Sequence, residues 1–184
     1  MKISPSRIMI FGRPGSGKST FAHDLHKITG LPLHHLDKHF FTRNWVERDK
    51  QEFLDIQQSI VDTDSWIIDG NSIKSLEMRY AKADLVLCLN FPRWICLYRV
   101  LKRIFDKNIE IDDRADCCPE RASLKLLKYM WTFDQRVEKP IAYLHEKYPN
   151  IKFVKISNDR ALRKVKLSFM NGDFSNDYRE EKYE

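Results

Sequence analysis

Short apolar runs alternate along the chain with longer stretches in which apolar residues recur at helical spacing. The first run, "RIMIF" at 7–11, predicts a buried strand entering a glycine-rich loop. Residues 18–29 read as a helix that stops at Gly30, with Pro32 beyond it. "LHHLD", 33–37, reads as a short second strand. Residues 48–62 predict a helix, because Phe53, Ile56, Ile60 and Val61 fall on one face. "WIID", 66–69, is a third strand closed by Gly70, and "DLVLCLNF", 84–91, a fourth bounded by Pro92. An amphipathic basic helix spans 93–105, and the polar stretch 106–120 reads as an exposed excursion. Residues 121–146 are mostly helical, with Pro140 marking a break or kink. "IKFVKIS", 151–157, is the last strand, and a helix over 158–170 follows it. Residues 1–170 thus read as a single domain, and 171–184 as a polar tail open to fraying.

Strands that alternate with helices predict parallel βαβ units. The fold class is α/β: a parallel sheet covered by helices on both faces, three layers deep. Such sheets bind ligands beyond the carboxyl ends of their strands. The glycine loop, Asp37, Asp69 and Asn90 all fall at those ends.

Composition narrows the picture little. A chain of 184 residues suits one domain with a real core, and 42% hydrophobic with 32% charged residues is an ordinary soluble balance. No run is long and apolar enough to span a bilayer, and the first apolar stretch is interrupted by Gly12, Arg13 and Pro14, so no signal-peptide pattern is expected. Cys88, Cys96, Cys117 and Cys118 form no CxxC pair; reduced thiols and a cytoplasmic location are expected. A net charge of +6 suits a polyphosphate ligand and also weak nucleic-acid contact, so charge alone does not choose.

The loop does choose. Gly12, Gly17, Lys18 and Ser19 fit the pattern G-x-x-x-x-G-K-[ST] within Gly12-Arg13-Pro14-Gly15-Ser16-Gly17-Lys18-Ser19-Thr20. Glycines let backbone N–H groups curl around phosphate oxygens, and the helix N-terminus adds positive potential. Lys18 reaches the β- and γ-phosphates of a nucleoside triphosphate, and the Ser19 hydroxyl ligates Mg²⁺. The expected second acid for the metal is Asp69, which ends an apolar strand. Asp37 reads either as a turn cap or as a group that binds an acceptor hydroxyl or helps place the metal. Arg79, Arg93, Arg99 and Arg103 crowd one quarter of the chain, and Arg114, Arg121 and Arg136 flank the polar excursion. Taken singly, each reads as a surface charge; taken together, at least two should clamp phosphate, with Arg99 and Arg136 the first choices. His35 and His39 are spaced i, i+4, but within a strand they would share no helix face, so zinc is not expected. Trp94, Tyr98, Leu101 and Phe105 read as a core-packing stripe.

"IFGRPGSGKSTFAHDL", "LPLHHLDKHFF" and "WIIDGNSIKSLEMRYAKADLVLCLNFPRWICLYRVLKRI", in that order, resemble the adenylate kinase-like P-loop proteins known as DNA topology modulation proteins. The resemblance runs from about residue 7 to 105 and more weakly to about 165. It implies a nucleoside-monophosphate-kinase-like core with a five-stranded parallel sheet, a helical lid over 106–120, and ATP with Mg²⁺ as ligand. It implies that Arg99 and Arg103 lie on the arginine-rich helix before the lid, and that Asn158 to Leu162 lie near the adenine. The chain departs from adenylate kinases proper, which carry D-G-F-P-R where Asp69-Gly70-Asn71-Ser72-Ile73 stand here. It also carries Asn90 where such proteins have a strand-end acid, which shifts the metal role to Asp69.

The function expected is therefore that of a P-loop phosphotransferase moving the γ-phosphoryl group of ATP to a small-molecule or nucleotide acceptor. The alternative is a nucleotide-switched binding protein whose basic surface, around Lys102, Arg103, Lys125 and Lys128, touches nucleic acid or a protein. No helix-turn-helix or zinc finger supports direct DNA reading.

Overall fold

The computed structural model describes residues 4–105 and 124–172. Five strands form one sheet, β1 (Arg7–Gly12), β2 (Leu33–His35), β3 (Trp66–Asp69), β4 (Leu85–Leu89) and β5 (Lys152–Ile156), in the order β2-β3-β1-β4-β5. Every pairing is parallel. The register sets Ile10 beside Asp69, Asp69 beside His35, and Gly12 beside Leu89, so the strand ends form one edge.

The helices are α1 (Lys18–Thr29), α2 (Leu36–Phe40), α3 (Lys50–Val61), α4 (Leu76–Tyr80), α5 (Arg93–Phe105), α6 (Leu124–Trp131), α7 (Phe133–Lys147) and α8 (Asp159–Met170). Alternation along β1 sorts them into layers. Met9 and Phe11 face a core completed by Phe53 of α3, Tyr80 of α4 and Phe133, Val137 and Ile141 of α7. Ile8 and Ile10 face the other, completed by Phe21 and Leu25 of α1, Cys96 and Val100 of α5 and Val165 of α8. The result is the three-layer α/β arrangement expected. The lid expected over 106–120 lies outside the described residues, as do Arg114, Cys117, Cys118, Arg121 and the tail beyond 172. No helix among the described residues is long and apolar enough to cross a membrane. Cys88 and Cys96 are buried free thiols.

Three local expectations need correction. The second strand ends at His35, and Asp37 stands in the first turn of α2 rather than at a strand end. The chain turns into α2 where buried Leu36 packs over Gly70, a contact so close that a Cβ there would come within 2.6 Å of the Leu36 Cβ. The break in 121–146 comes at Thr132, and the helix runs on through Pro140. The missing proline N–H is outweighed by the Val137, Ile141 and Leu144 face, which holds α7 to the sheet. Finally, Trp94 and Tyr98 are 69% and 66% exposed, and Leu101 is exposed as well; α5 buries Cys96 and Val100 instead.

Phe133 is fully buried, edge-on to Tyr129, and joins α7 to the sheet. Phe133→Ala should lower the unfolding free energy by about 3–5 kcal/mol, read as a drop in urea midpoint at unchanged m.

Candidate phosphate-binding site

The loop from Gly12 to Gly17 is held from three sides. The Gly12 N–H donates to Asn71 Oδ1 at 3.0 Å, and Asn71 Nδ2 donates back to the Gly12 carbonyl at 2.7 Å. The Arg13 N–H donates to the Leu89 carbonyl at 3.2 Å. Gly15, at φ 79°, presses on α5, where an added Cβ would lie 2.4 Å from the Cys96 carbonyl oxygen. Only glycine combines that backbone with that approach. Inside the loop, the Arg13 carbonyl accepts from Ser16 N–H at 3.1 Å and from Lys18 Nζ at 3.3 Å.

Gly17 precedes α1 in a left-handed conformation, and no side chain caps the helix. The N–H groups of its first turn therefore face the cup of the loop without a side-chain acceptor. Ser16 Oγ is buried there with no hydrogen-bond partner. Pro14 is half-buried and Thr20 exposed at the loop's two ends.

Asp69 closes the cup from β3. Its Oδ2 accepts from Ser19 Oγ at 2.8 Å and lies 3.1 Å from His35 Nδ1, while Oδ1 is buried and unpartnered. Behind it stands Arg79, fully buried, which donates to the carbonyls of Gly70 at 3.1 Å and Ser72 at 2.6 Å. Burial lowers the Arg79 guanidinium to about 10, and the field of Asp69 opposes that fall. Arg79 is thus no phosphate clamp; its donors are committed to the turn that carries Asn71.

The arginines singled out by sequence separate by position. Arg99 lies against the loop: Nη1 donates to the Ser16 carbonyl at 3.2 Å, Nη2 pairs with Asp159 at 2.9 Å, and the guanidinium sits 4.6 Å from the Phe91 ring centroid. Arg136, on α7, is exposed; its Nε donates to Thr132 Oγ1 at 3.0 Å and its guanidinium lies 5.5 Å from the Tyr129 ring centroid. Asp37 joins Arg136 there. Burial pushes the Tyr129 hydroxyl up, the charge of Arg136 opposes the shift, and the charge of Asp37 adds to it. Asp37, picked from sequence for an acceptor hydroxyl or the metal, and Arg136, picked to clamp phosphate, thus both bear on one tyrosine. The histidines do not pair i, i+4: His35 faces Asp69, while the His34 and His39 rings lie 5.9 Å apart, each with its pKa lowered chiefly by burial.

Sequence reasoning weighed His35 only as a metal ligand and gave no role of their own to Asn71, Arg13 and Asp134. The Arg13 guanidinium is 2% exposed; Nη1 donates to the Phe91 carbonyl at 2.6 Å and Nη2 to Asp134 of α7, which also accepts from Arg93 at 3.2 Å. An arginine inside a glycine loop was the one available signal, because that position leaves a side chain little solvent to reach.

No protein-family model matches this chain, and no curated protein does. Solved structures do. A shikimate kinase from Acinetobacter baumannii in complex with shikimate is similar at 16% identity and a TM-score of 0.59, over 95% of this chain and 96% of that one. A shikimate kinase from Bacteroides thetaiotaomicron is similar at 13% identity and a TM-score of 0.50, over 91% and 98%. An uncharacterised protein from Eubacterium ventriosum is similar at 15% identity and 0.50, over 89% and 97%. At these identities the likeness is one of fold: the chain has the P-loop kinase-like three-layer α/β fold.

Arg79→Met leaves the Gly70 and Ser72 carbonyls without their donor, and should cost about 2–5 kcal/mol by urea denaturation. Arg79→Lys, which can serve one carbonyl, should recover part of the loss.

Proposed function

We propose that this protein is an ATP-dependent phosphotransferase acting on the hydroxyl of a small molecule. The observation that carries the reading is the pairing of an uncapped α1 N-terminus, fronted by Lys18, with a buried carboxylate that touches Ser19 and keeps one oxygen unpartnered. The triphosphate lies along Gly12 to Thr20, its negative charge met by loop N–H groups and Lys18. Ser19 and Asp69 suit a divalent cation: hydroxyl and carboxylate are hard oxygen donors, and Asp69 Oδ1 is buried without a protein partner beside them. Mg²⁺ bound there would neutralise charge on the β- and γ-phosphates. His35, 3.1 Å from its Oδ2, helps to hold Asp69 in place.

On the acceptor side, Asp37 orients the hydroxyl and takes its proton as the bond from its oxygen to the γ-phosphorus forms and the bond from that phosphorus to the bridging oxygen breaks, releasing ADP. Arg136 meets a negative group on the acceptor or the transferring phosphoryl. Arg99 serves the nucleotide side, since it already touches the loop at Ser16. The motif resemblance to the DNA topology modulation proteins supports the ATP assignment, and the A. baumannii neighbour puts shikimate into the set of acceptors to try. A second reading, a nucleotide-switched binding protein, draws on the exposed Trp94, Tyr98 and Trp131 beside the basic Lys102, Arg103 and Lys128. Its mark would be partner binding that changes with ATP and weakens with salt.

With MgATP and a panel of shikimate, sugars, nucleosides and nucleoside monophosphates, one acceptor should raise ADP release above the acceptor-free rate and yield equal phosphorylated product. Lys18→Ala should lower that rate by about 100-fold or more, in line with loss of a main transition-state charge partner. Asp37→Asn should lower kcat more than KM. An acceptor-independent rate across the whole panel would contradict the proposal.

A further inference from the structure

We infer that Asp134 and Arg13 form a positioning pair that sets the phosphate loop from α7, the helix that also carries Arg136. The inference rests on the nucleotide site proposed above and adds to it the residues that hold Lys18 in register.

Arg13 is the hub of the loop. Its N–H is fixed to Leu89, and its carbonyl receives both Ser16 N–H and Lys18 Nζ. The plane of that carbonyl therefore decides where the lysine ammonium sits. The main chain is tied before this peptide by the Gly12–Asn71 clasp and after it by the Ser16 N–H. The side chain adds an anchor on α7. It is buried, bonded to the Phe91 carbonyl at 2.6 Å and to Asp134, and its path from loop to α7 is closed over by protein.

Asp134 is a firm anchor for two reasons. It adjoins Phe133, which is wholly buried, so its backbone is fixed by core packing. It also accepts from Arg93, whose guanidinium stacks 5.4 Å from the Trp131 ring centroid, so its carboxylate is held from a second direction. One carboxylate thus ties together the loop, α5 and α7.

A positioning role and a charge role predict opposite signs. Asp134 is a negative group one guanidinium away from the site of a polyanion. If it acted only through its charge, Asp134→Asn would strengthen nucleotide binding. If it acts by holding Arg13, and through Arg13 the lysine, the same change weakens binding.

The test uses the full chain and a fluorescent N-methylanthraniloyl ATP with Mg²⁺, titrated well below the unfolding temperature, with circular dichroism to verify the fold. Asp134→Asn and Arg13→Met should each raise Kd on the order of tenfold, and the double variant should be no worse than Arg13→Met alone. Asp134→Glu should recover part of the affinity. The loss should be smaller for the diphosphate probe, since Lys18 serves the outer phosphates. Unchanged or tighter binding in folded Asp134→Asn would overturn the inference while leaving the site intact. If Asp134→Asn does not fold, Arg13→Lys decides in the same way: weaker binding supports the pair, and unchanged binding refutes it. Failure of the unaltered protein to bind the probe would instead remove the nucleotide site itself, and the pair's role with it.

Discussion

A glycine loop that turns sharply from strand into helix has few side chains to fill the bend, and something else has to hold it. That constraint organises this molecule. The loop between β1 and α1 rests on β4 through Leu89, on the turn after β3 through Asn71, and on α5 through the close approach of Gly15 to Cys96. Each support is itself fastened: the Asn71 turn by buried Arg79, α5 by its packing at Val100, and the loop's own side chain by Asp134. Parallel register is what makes these supports available, because it delivers the ends of β1, β3 and β4 to one edge.

The same geometry explains a concentration of buried charge that would otherwise be a liability. Arg13, Arg79 and Asp69 are all nearly inaccessible, and buried ions are costly unless paired and hydrogen-bonded. Arg79 spends its donors on backbone carbonyls and lends its field to Asp69. Arg13 is paired with Asp134. Asp69 keeps Oδ1 without a partner beside Ser19, and Arg13 keeps Nε without one.

What could be read from the chain, and what could not, divides by distance in sequence. β1, its loop and α1 are contiguous, so apolar run, glycines and helix pattern declare themselves together. Asp69 was legible because an acid closing "WIID" is out of keeping with that apolar strand. The Gly12–Asn71 clasp spans 59 residues and the Arg13–Asp134 pair 121, and no local pattern announces either. The stripe Trp94, Tyr98 and Leu101 was misplaced for a related reason. Periodicity finds an apolar face, but the face α5 turns inward is fixed by where its backbone must meet Gly15. At Thr132 no breaker residue signals the end of α6, whereas Pro140 signals a break that core packing overrides.

The central claim is that the cup closed by Ser19 and Asp69 holds the phosphates of a nucleotide together with a divalent cation. Isothermal titration with the non-hydrolysable analogue AMP-PNP tests it directly, once with Mg²⁺ and once with EDTA. The account predicts one site per chain, with affinity clearly higher when Mg²⁺ is present. Absence of binding heat at several temperatures in Mg²⁺, or an affinity indifferent to the metal, would contradict it.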